Sequence, residues 1–341
     1  MRVIWKVGSH ESSTSPTAQN RILTSSMIRL LGTAFAALLG LIFGSFMNVC
    51  ITRWPVGKSV SKGRSHCRNC DHSIPWFENI PLLSFLILAG RCRKCKHSIG
   101  LRYPLVELSI ALLWGYSAWQ IPPGLLDPEL LRSVLYNALI VFAGKLLFYW
   151  LVVALACLDW ENLWLPDWLT LPGTAIGFAL TVLSPFLLGN RGAYVPPPYA
   201  DMIGFIADTL LGIGGAALLV LLIRWIYFLF RRREGIGLGD AKLMALFAAW
   251  MGLPIALLSF AIGVILAAIA GIIILASPRR GPQATSSPAH ASSDSPSAAN
   301  IPADASHLAE LPLGSFLCIG GIVAHLCGQR ILAIYLQLFG L

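Results

Sequence analysis

Long uninterrupted apolar runs constrain the fold of this chain more than any other feature. Residues 254–276 contain no charged side chain, and comparable runs recur along most of the sequence. A run of about 20 apolar residues is long enough to cross a bilayer as a helix. Lipid offers backbone groups no hydrogen bonds, so a spanning segment must satisfy them internally. The runs therefore predict an all-α polytopic membrane protein with about eight transmembrane helices.

The composition supports a membrane protein and excludes an ordinary soluble domain. Of 341 residues, 56% are apolar and only 12% are charged, whereas soluble domains carry about 25% charged residues. The net charge of +9 could suggest a nucleic-acid partner. However, the basic residues cluster in loops beside the apolar runs, as is typical of membrane topology. We therefore predict contact with membrane lipid and no binding of nucleic acid.

The pattern of apolar and polar stretches divides the chain into six parts. No cleavable signal peptide is evident in the polar leader, and Met27 could be the true start. The Ser-, Ala- and Pro-rich stretch late in the chain has a composition typical of disorder. The predicted parts are the leader 1–26, a first span 27–51, a polar segment 52–102, a membrane core 103–276, a disordered loop 277–312 and a last span 313–341. Within them the predicted spans are 27–51, 103–121, 133–158, 168–188, 202–230, 242–250, 254–276 and 314–339.

Loop charges predict the orientation of these spans. Segment 52–102 carries ten Lys or Arg residues, whereas the loops 122–132 and 189–201 on the other side carry only Arg132 and Arg191. Basic loops stay in the cytoplasm, so the 52–102 side is predicted to be cytoplasmic and both termini to lie outside. The basic residues of the leader argue the other way, and a start at Met27 would remove that objection.

Four cysteines in segment 52–102 form two Cys-x-x-Cys pairs. Cys67 and Cys70 are separated from Cys92 and Cys95 by 21 residues, a spacing that fits a tetrahedral four-thiolate zinc site. In a reducing cytosol, metal binding is favoured over disulfides. Redox pairs or another soft metal remain alternatives. Four thiolates leave no open position on the metal, so the predicted role of zinc is structural. The remaining cysteines, which lie in apolar runs, are predicted to be small core residues.

Two aspartates are predicted to lie at the cytoplasmic ends of apolar runs. Asp159 is the first acid after the run 133–158, and Asp240 follows the alternating glycines 235, 237 and 239. Glycines permit positive φ and close approach of another chain. Two carboxylates brought together in a low dielectric share a proton and can activate a water. Two alternatives stay open from spacing alone: helix-capping acids, and a proton-coupled transporter.

Three other ionisable residues lie near these acids in the sequence. Glu107 falls within the predicted second span and could pair with a basic group or line a cavity. Asp167 follows a proline and precedes an apolar run, which suits a helix cap. Lys242, just after Asp240, is predicted to extend its amine to the membrane interface. Two alternatives are that it shifts the pKa of an aspartate or that it contacts a charged group of the substrate.

Several ordered motifs resemble those of the bacterial type 4 prepilin leader peptidase/N-methyltransferases. The resemblance covers nearly all of the chain after Met27. Residues 312–317 resemble the late Pro-Phe-Gly-Pro-x-Leu motif of that family, with Ser315 in place of its second proline. The other matches are residues 44–49 (Gly-Ser-Phe-x-Asn-Val), the two Cys-x-x-Cys pairs, 76–84 between them, 102–107 (Arg-Tyr-Pro-x-Val-Glu), Asp159 with 165–167, and 237–240 (Gly-x-Gly-Asp).

The resemblance implies an aspartic endopeptidase of the bacterial inner membrane with its active site at the cytoplasmic face. Such enzymes cut the leader from type IV prepilins or type II secretion pseudopilins, after a glycine and usually before a phenylalanine. Asp159 and Asp240 are implied to be catalytic. Gly237 and Gly239 would let an extended substrate backbone approach Asp240. Pilus or type II secretion machinery would be the partner.

The resemblance also implies a second activity. Family members methylate the new amino terminus with S-adenosylmethionine, and the intact cysteine segment places this chain with those bifunctional members. Gly90 matches a family glycine associated with methylation. No glycine-rich dinucleotide-type loop is present, so the cofactor site is predicted to be unconventional. An ion-coupled transporter and a non-catalytic scaffold for pilus assembly are the rival interpretations.

Overall fold

The computed structural model describes residues 16–61, 63–121, 128–187, 202–232, 237–276 and 311–339. In that part of the chain the protein is helical, and extended pairing is confined to two isolated β-bridges. The prediction of an all-α protein is confirmed. The helices are α1 Pro16–Arg53, α2 Leu83–Ile87, α3 Arg102–Trp119, α4 Pro128–Asn162, α5 Asp167–Leu187, α6 Met202–Arg231, α7 Leu238–Met251, α8 Leu253–Ala276 and α9 Leu313–Phe339, with a 3₁₀ turn at Trp76–Asn79.

Five of the described helices are long and apolar enough to cross a membrane. They are Ser26–Arg53 within α1, Leu139–Asn162 within α4, and most or all of α6, α8 and α9. Helix α7 has 14 residues and is about 21 Å long, which is shorter than a bilayer core of about 30 Å. Each of the eight predicted spans corresponds to one helix, but how many of the eight cross the membrane stays a prediction.

Helices α1 and α7 begin earlier in the chain than the predicted spans that they contain. Helix α1 begins at Pro16, so the last part of the predicted polar leader is helical. Helix α7 begins at Leu238, not at residue 242, because Gly237 is the last extended residue (φ −74°, ψ 152°). Asp240 therefore lies in the first turn of α7. The first 15 residues of the leader, and the predicted disordered loop as far as residue 310, lie outside the described residues.

Helices α1 and α3 pack closely through small residues. A Cβ atom placed on Gly40 would lie 2.7 Å from Cα of Ala111, and one on Gly44 would lie 2.7 Å from Cα of Glu107. Such small-xxx-small patterns let helix backbones approach in a membrane, where packing rather than hydrophobicity drives association. Asn48, one turn after Gly44, donates a hydrogen bond to the Tyr103 carbonyl at 3.0 Å.

The chain forms two compact units. The first comprises residues 1–154 and 175–207, and the second comprises 155–174 and 208–341. In the second unit, α7 buries most of its length, including Leu243, Met244 and Phe247. A helix that is apolar all round is expected to be enclosed by others. Helices α8 and α9 meet at Gly263, where an added Cβ would lie 2.8 Å from Cα of Leu317.

Candidate active site and cysteine cluster

Asp159 lies in the last turn of α4 and is almost fully buried, with 6% of its surface exposed. The helix ends just after it, because Leu163 adopts a left-handed φ of 49° and donates its N–H to the Asp159 carbonyl at 2.8 Å. Burying a carboxylate costs several kcal/mol unless hydrogen bonds or a shared proton compensate. Asp159 is therefore too deeply buried to be a simple solvent-exposed cap.

The amino-terminal turn of α9 holds the carboxylate of Asp159. The Ser315 backbone N–H donates to Asp159 Oδ2 at 2.6 Å, and the Ser315 hydroxyl lies 2.9 Å from the same oxygen. Gly314 makes room for this contact, since a Cβ there would lie 2.9 Å from Cγ of Asp159. Free N–H groups and the helix dipole at this end stabilise an anion. This turn belongs to the segment 312–317 that resembles a family motif, but its sequence alone predicts no role for Gly314 or Ser315.

Asp240 lies in the first turn of α7 and has the same low exposure of 6%. The Gly237 backbone N–H donates to Asp240 Oδ2 at 3.1 Å, so Asp240 does cap its own helix, as one prediction held. A capping acid has no need of burial, however, because capping works equally well at an exposed helix end. The burial of Asp240 points to a second role.

Asp159 and Asp240 are close enough to interact electrostatically. Each is held from the end of a helix, and both lie within the second unit although they are distant in the sequence. Two neighbouring buried carboxylates favour a state that carries one proton between them. Such a pair can hold a water, take a proton from it and deliver a proton to a leaving group.

A positive φ does not explain the two described glycines before Asp240. Gly237 is extended, and Gly239 is not among the residues with positive φ. A Cβ on Gly239 would lie 3.0 Å from Cβ of Leu165, so this glycine lets α7 pack against the α4–α5 connection. Gly235 lies outside the described residues. The expectation that Gly237 and Gly239 admit a substrate backbone remains a prediction.

Two neighbouring ionisable residues have partners that the sequence did not predict. Lys242 forms an ion pair with Asp167, with Nζ and Oδ1 2.5 Å apart, and its extension to the membrane interface stays a prediction. Among the described residues, no basic side chain pairs with Glu107, and only 8% of its surface is exposed. Its Oε2 accepts the backbone N–H of Leu82 at 2.8 Å, which ties the middle of the polar segment 52–102 to α3.

The two Cys-x-x-Cys pairs adopt the same local fold. In the first, the Cys67 N–H donates to the His72 carbonyl at 2.9 Å and the Asp71 N–H to the Cys67 carbonyl at 3.0 Å. In the second, Cys92 and Lys96 make the equivalent bonds, both at 2.9 Å. Asp71 and Lys96 both have left-handed φ, of 51° and 58°. The structure therefore contains two equivalent knuckles.

The knuckles bring four thiols together. The Sγ atoms of Cys67, Cys70, Cys92 and Cys95 all lie within 4.8 Å of one another. Cys67 and Cys95 are 3.7 Å apart, and Cys70 and Cys92 are 4.0 Å apart. A tetrahedron of sulfurs about 2.3 Å from a central zinc would have edges of about 3.8 Å. The backbone N–H of His97 helps lower the pKa of the Cys95 thiol to about 6, which favours the thiolate that a metal binds.

The other four cysteines are only partly as predicted. Cys50 and Cys318 are buried, which confirms their prediction as core residues. Cys157 is half-buried and Cys327 is exposed. The side chain of Cys327 therefore lies on an exposed face of α9.

Gly90 occupies a position at which a side chain would be strained. Its φ is +65°, and a Cβ there would lie 2.9 Å from Cζ of Phe85. Its carbonyl accepts the Ile99 N–H at 2.7 Å, which joins the two ends of the second knuckle. The local backbone and the contact with Phe85 thus explain why glycine occupies position 90, and its link to methylation stays a prediction.

We expect Gly90→Ala to weaken the second knuckle measurably. The alanine would combine an unfavourable φ, worth about 1–2 kcal/mol, with the contact to Phe85. Limited proteolysis of segment 52–102 would measure the effect. Gly57→Ala is the matched control, because Gly57 has a φ of +64° and nothing within 4 Å of an added Cβ. Equal proteolysis of the two variants would contradict a role for the Phe85 contact.

The fold and the paired carboxylates together define a class: an all-helical membrane protein with two buried acids at helix ends. Residues 38–121 match the family described as Bacterial Peptidase A24 N-terminal domain. Residues 146–272 match the Type IV leader peptidase family. The first match contains all four cysteines and Glu107, and the second contains both aspartates.

Curated relatives match over nearly the whole chain. The prepilin leader peptidase/N-methyltransferase of Pseudomonas putida is 30% identical over 89% of this chain and 94% of its own length. The protein of the same name from Aeromonas salmonicida is 32% identical over 88% of this chain and 92% of its own. That of Myxococcus xanthus is 33% identical over 80% and 73%. No solved structure matches the chain. The chain belongs to the type IV leader peptidase family, which confirms the resemblance drawn from its motifs.

Proposed function

We propose that this protein is a bifunctional enzyme of the bacterial inner membrane. It removes the leader peptide from type IV prepilins or type II secretion pseudopilins and then methylates the new amino terminus. The observation that carries the peptidase activity is the electrostatic interaction of Asp159 and Asp240, which are both buried and each held by a helix end. Family membership and the names of the relatives support both activities.

The peptidase step needs only the two carboxylates and a water. One carboxylate takes a proton from the water as the water oxygen bonds to the carbonyl carbon of the scissile amide. The other donates a proton to the amide nitrogen, and the carbon–nitrogen bond breaks to give a new carboxylic acid and a new amine. The carboxylates return to their starting state by passing one proton between them. Gly237 is extended and hydrogen-bonded to Asp240, so we place the substrate backbone beside it and Gly239.

The cysteine cluster fits a structural zinc ion. The Sγ distances between Cys67 and Cys95 and between Cys70 and Cys92 are close to the edge length of a tetrahedral site, all four sulfurs lie within 4.8 Å of one another, and two equivalent knuckles supply the ligands. Zinc with four thiolates has no free position for substrate. Cys67, Cys70, Cys92 and Cys95 would therefore hold segment 52–102 together rather than take part in chemistry. Backbone N–H donors help lower the pKa values of the Cys67 and Cys95 thiols, whereas burial and the neighbouring thiols raise the pKa of Cys70 to about 12. Two of the four thiols therefore favour the thiolate that a metal binds even before the metal arrives.

The methyl group would come from S-adenosylmethionine, which supplies an electrophilic methyl to the new amine. The relatives' names support this activity. Its site lies on the cytoplasmic side in our proposal, as do the cysteine segment and the aspartates, because the basic loops of this chain follow the cytoplasmic rule. Pilus or type II secretion machinery would receive the processed product, and membrane lipid surrounds the apolar helices.

The first experiment is cleavage of a purified prepilin by the full-length protein in detergent, with mass spectrometry of the products. We expect one cut that separates the leader from the mature chain. With S-adenosylmethionine added, the mature product should be heavier by roughly 14 Da, the mass of one added methyl less the hydrogen that it replaces. An intact prepilin after incubation with folded protein would overturn the proposed function and restore the transporter and scaffold interpretations. A cut product without added mass would overturn only the methylation.

A further inference from the structure

Ser315 makes three short polar contacts at the amino-terminal turn of α9, where its exposure is 3%. Its backbone N–H donates to Asp159 Oδ2 at 2.6 Å, which is shorter than the 3.1 Å from the same N–H to the Pro312 carbonyl. Its hydroxyl oxygen lies 2.9 Å from Asp159 Oδ2 and 2.9 Å from the Ala156 carbonyl oxygen. All of these atoms belong to the second unit.

The hydroxyl has two acceptors but only one proton. A backbone carbonyl can only accept, and a charged carboxylate can only accept, whereas a hydroxyl can donate once and also accept. While Asp159 is charged, the Ser315 hydroxyl can donate to Oδ2. Once Oδ2 carries a proton, the carboxyl can donate to the Ser315 oxygen and the hydroxyl proton can turn to Ala156. Both protonation states of Asp159 can therefore be fully hydrogen-bonded without movement of the backbone.

We propose that Ser315 is a positioning residue whose hydroxyl follows the proton of Asp159 during cleavage. This inference rests on the proposed function, in which Asp159 changes protonation whichever of the two acids it is. Taking up a proton forms one O–H bond on Asp159 and breaks one on water; releasing it reverses the change on Asp159. The hydroxyl rotates between its two acceptors in each direction, so the buried carboxyl keeps a partner and its orientation towards the water.

The surroundings of Asp159 leave this task to Ser315. Both hydrogen bonds that Ser315 makes to the Asp159 carboxylate end on the same oxygen, Oδ2. The titratable groups that act on the same region are Asp240 on α7 and the thiols of Cys157 on α4 and Cys318 on α9. The nearby Lys242 is engaged by Asp167. The family motif that residues 312–317 resemble has proline at this position, which could offer neither the N–H nor the hydroxyl.

Ser315→Ala tests the hydroxyl while it keeps the backbone donor and the helix. We expect kcat for prepilin cleavage to fall about tenfold, the equivalent of one hydrogen bond to a charged group, with KM unchanged because the hydroxyl does not contact substrate. The matched control is Ser259→Ala. Ser259 is fully buried on α8, and its hydroxyl donates to the Ala256 carbonyl at 2.6 Å. An unchanged kcat in Ser315→Ala, or an equal fall in the Ser259 control, would overturn the proposal.

Infrared spectroscopy tests the same contact without relying on activity. In the Asp240→Asn background, acidification should produce a carboxyl C=O stretch that disappears in Asp159→Asn and so reports protonated Asp159. Adding Ser315→Ala should move that band to higher wavenumber, since the carboxyl loses its hydroxyl partner; Ser259→Ala should leave it in place. A band that does not move overturns the inference. If the wild type fails to cut prepilin, the proposed function fails, and the band still decides whether Ser315 follows the proton.

Discussion

Asp159→Asn and Asp240→Asn should each reduce leader cleavage by about 10²–10⁴-fold, the usual contribution of a positioned general acid or base. Asparagine has nearly the shape of aspartate but cannot take up a proton. Its side-chain oxygen can still accept the Ser315 or Gly237 N–H that holds the native carboxylate. Each variant should therefore stay folded while it loses the chemistry. The rate of prepilin cleavage under single-turnover conditions measures the effect.

Asp167→Asn is the matched control for these two variants. Asp167 is also an aspartate beside a helix start in the second unit, but it is exposed and pairs with Lys242. Exposed ion pairs contribute only about 0.2–1 kcal/mol, so cleavage should change by no more than a few-fold. Near-normal cleavage by Asp159→Asn or Asp240→Asn would show that the two carboxylates do not form the catalytic pair.

Cys92→Ser and Cys67→Ser should each abolish zinc binding and release segment 52–102 from its folded state. In the proposed site the two knuckles would share one zinc ion, and a structural zinc site is worth about 10–16 kcal/mol of apparent binding free energy in small domains. A serine hydroxyl stays protonated at neutral pH and is a poor replacement for a thiolate. Metal analysis of the purified protein should find about one zinc per chain in the wild type and almost none in the variants.

Cys327→Ser provides the control for the loss of a thiol. Cys327 is exposed on α9, so its substitution should leave the zinc content and the proteolysis of segment 52–102 unchanged. Zinc retained in full by Cys92→Ser would contradict the four-thiolate site. A wild-type protein that is purified without zinc yet resists proteolysis in segment 52–102 would show that the knuckles fold without it.

Many features of this protein could be predicted because they depend on residues close together in the chain. Apolar runs determine which segments become helices in a membrane. The observed helices follow the predicted spans, although α1 and α7 begin earlier in the chain. The knuckles follow from the two-residue spacing within each cysteine pair. The prediction that both aspartates lie at the ends of apolar runs also needed no knowledge of packing.

The partners of those residues were decided by the tertiary structure. Ser315 reaches Asp159 across 156 positions, and Lys242 reaches Asp167 across 75. Nothing in the local sequence of either residue indicates such a contact. The sequence shows that Ser315 replaces a motif proline. A lone serine in an apolar run predicts no function, however, and its role follows only from the carboxylate that lies beside it in the structure. The small-residue spacing of Gly40 and Gly44 was a readable signal for the α1–α3 contact and was missed.

The sequence by itself determined the membrane-helical architecture, the two cysteine knuckles and the two acids. These features follow from hydrophobicity, ligand spacing and position relative to an apolar run, all of which are local properties. The tertiary structure decided which oxygen of Asp159 is held, which base is already paired and which glycines touch another backbone. Those outcomes depend on how the helices pack against one another, and packing is a property of the assembled bundle rather than of any one segment.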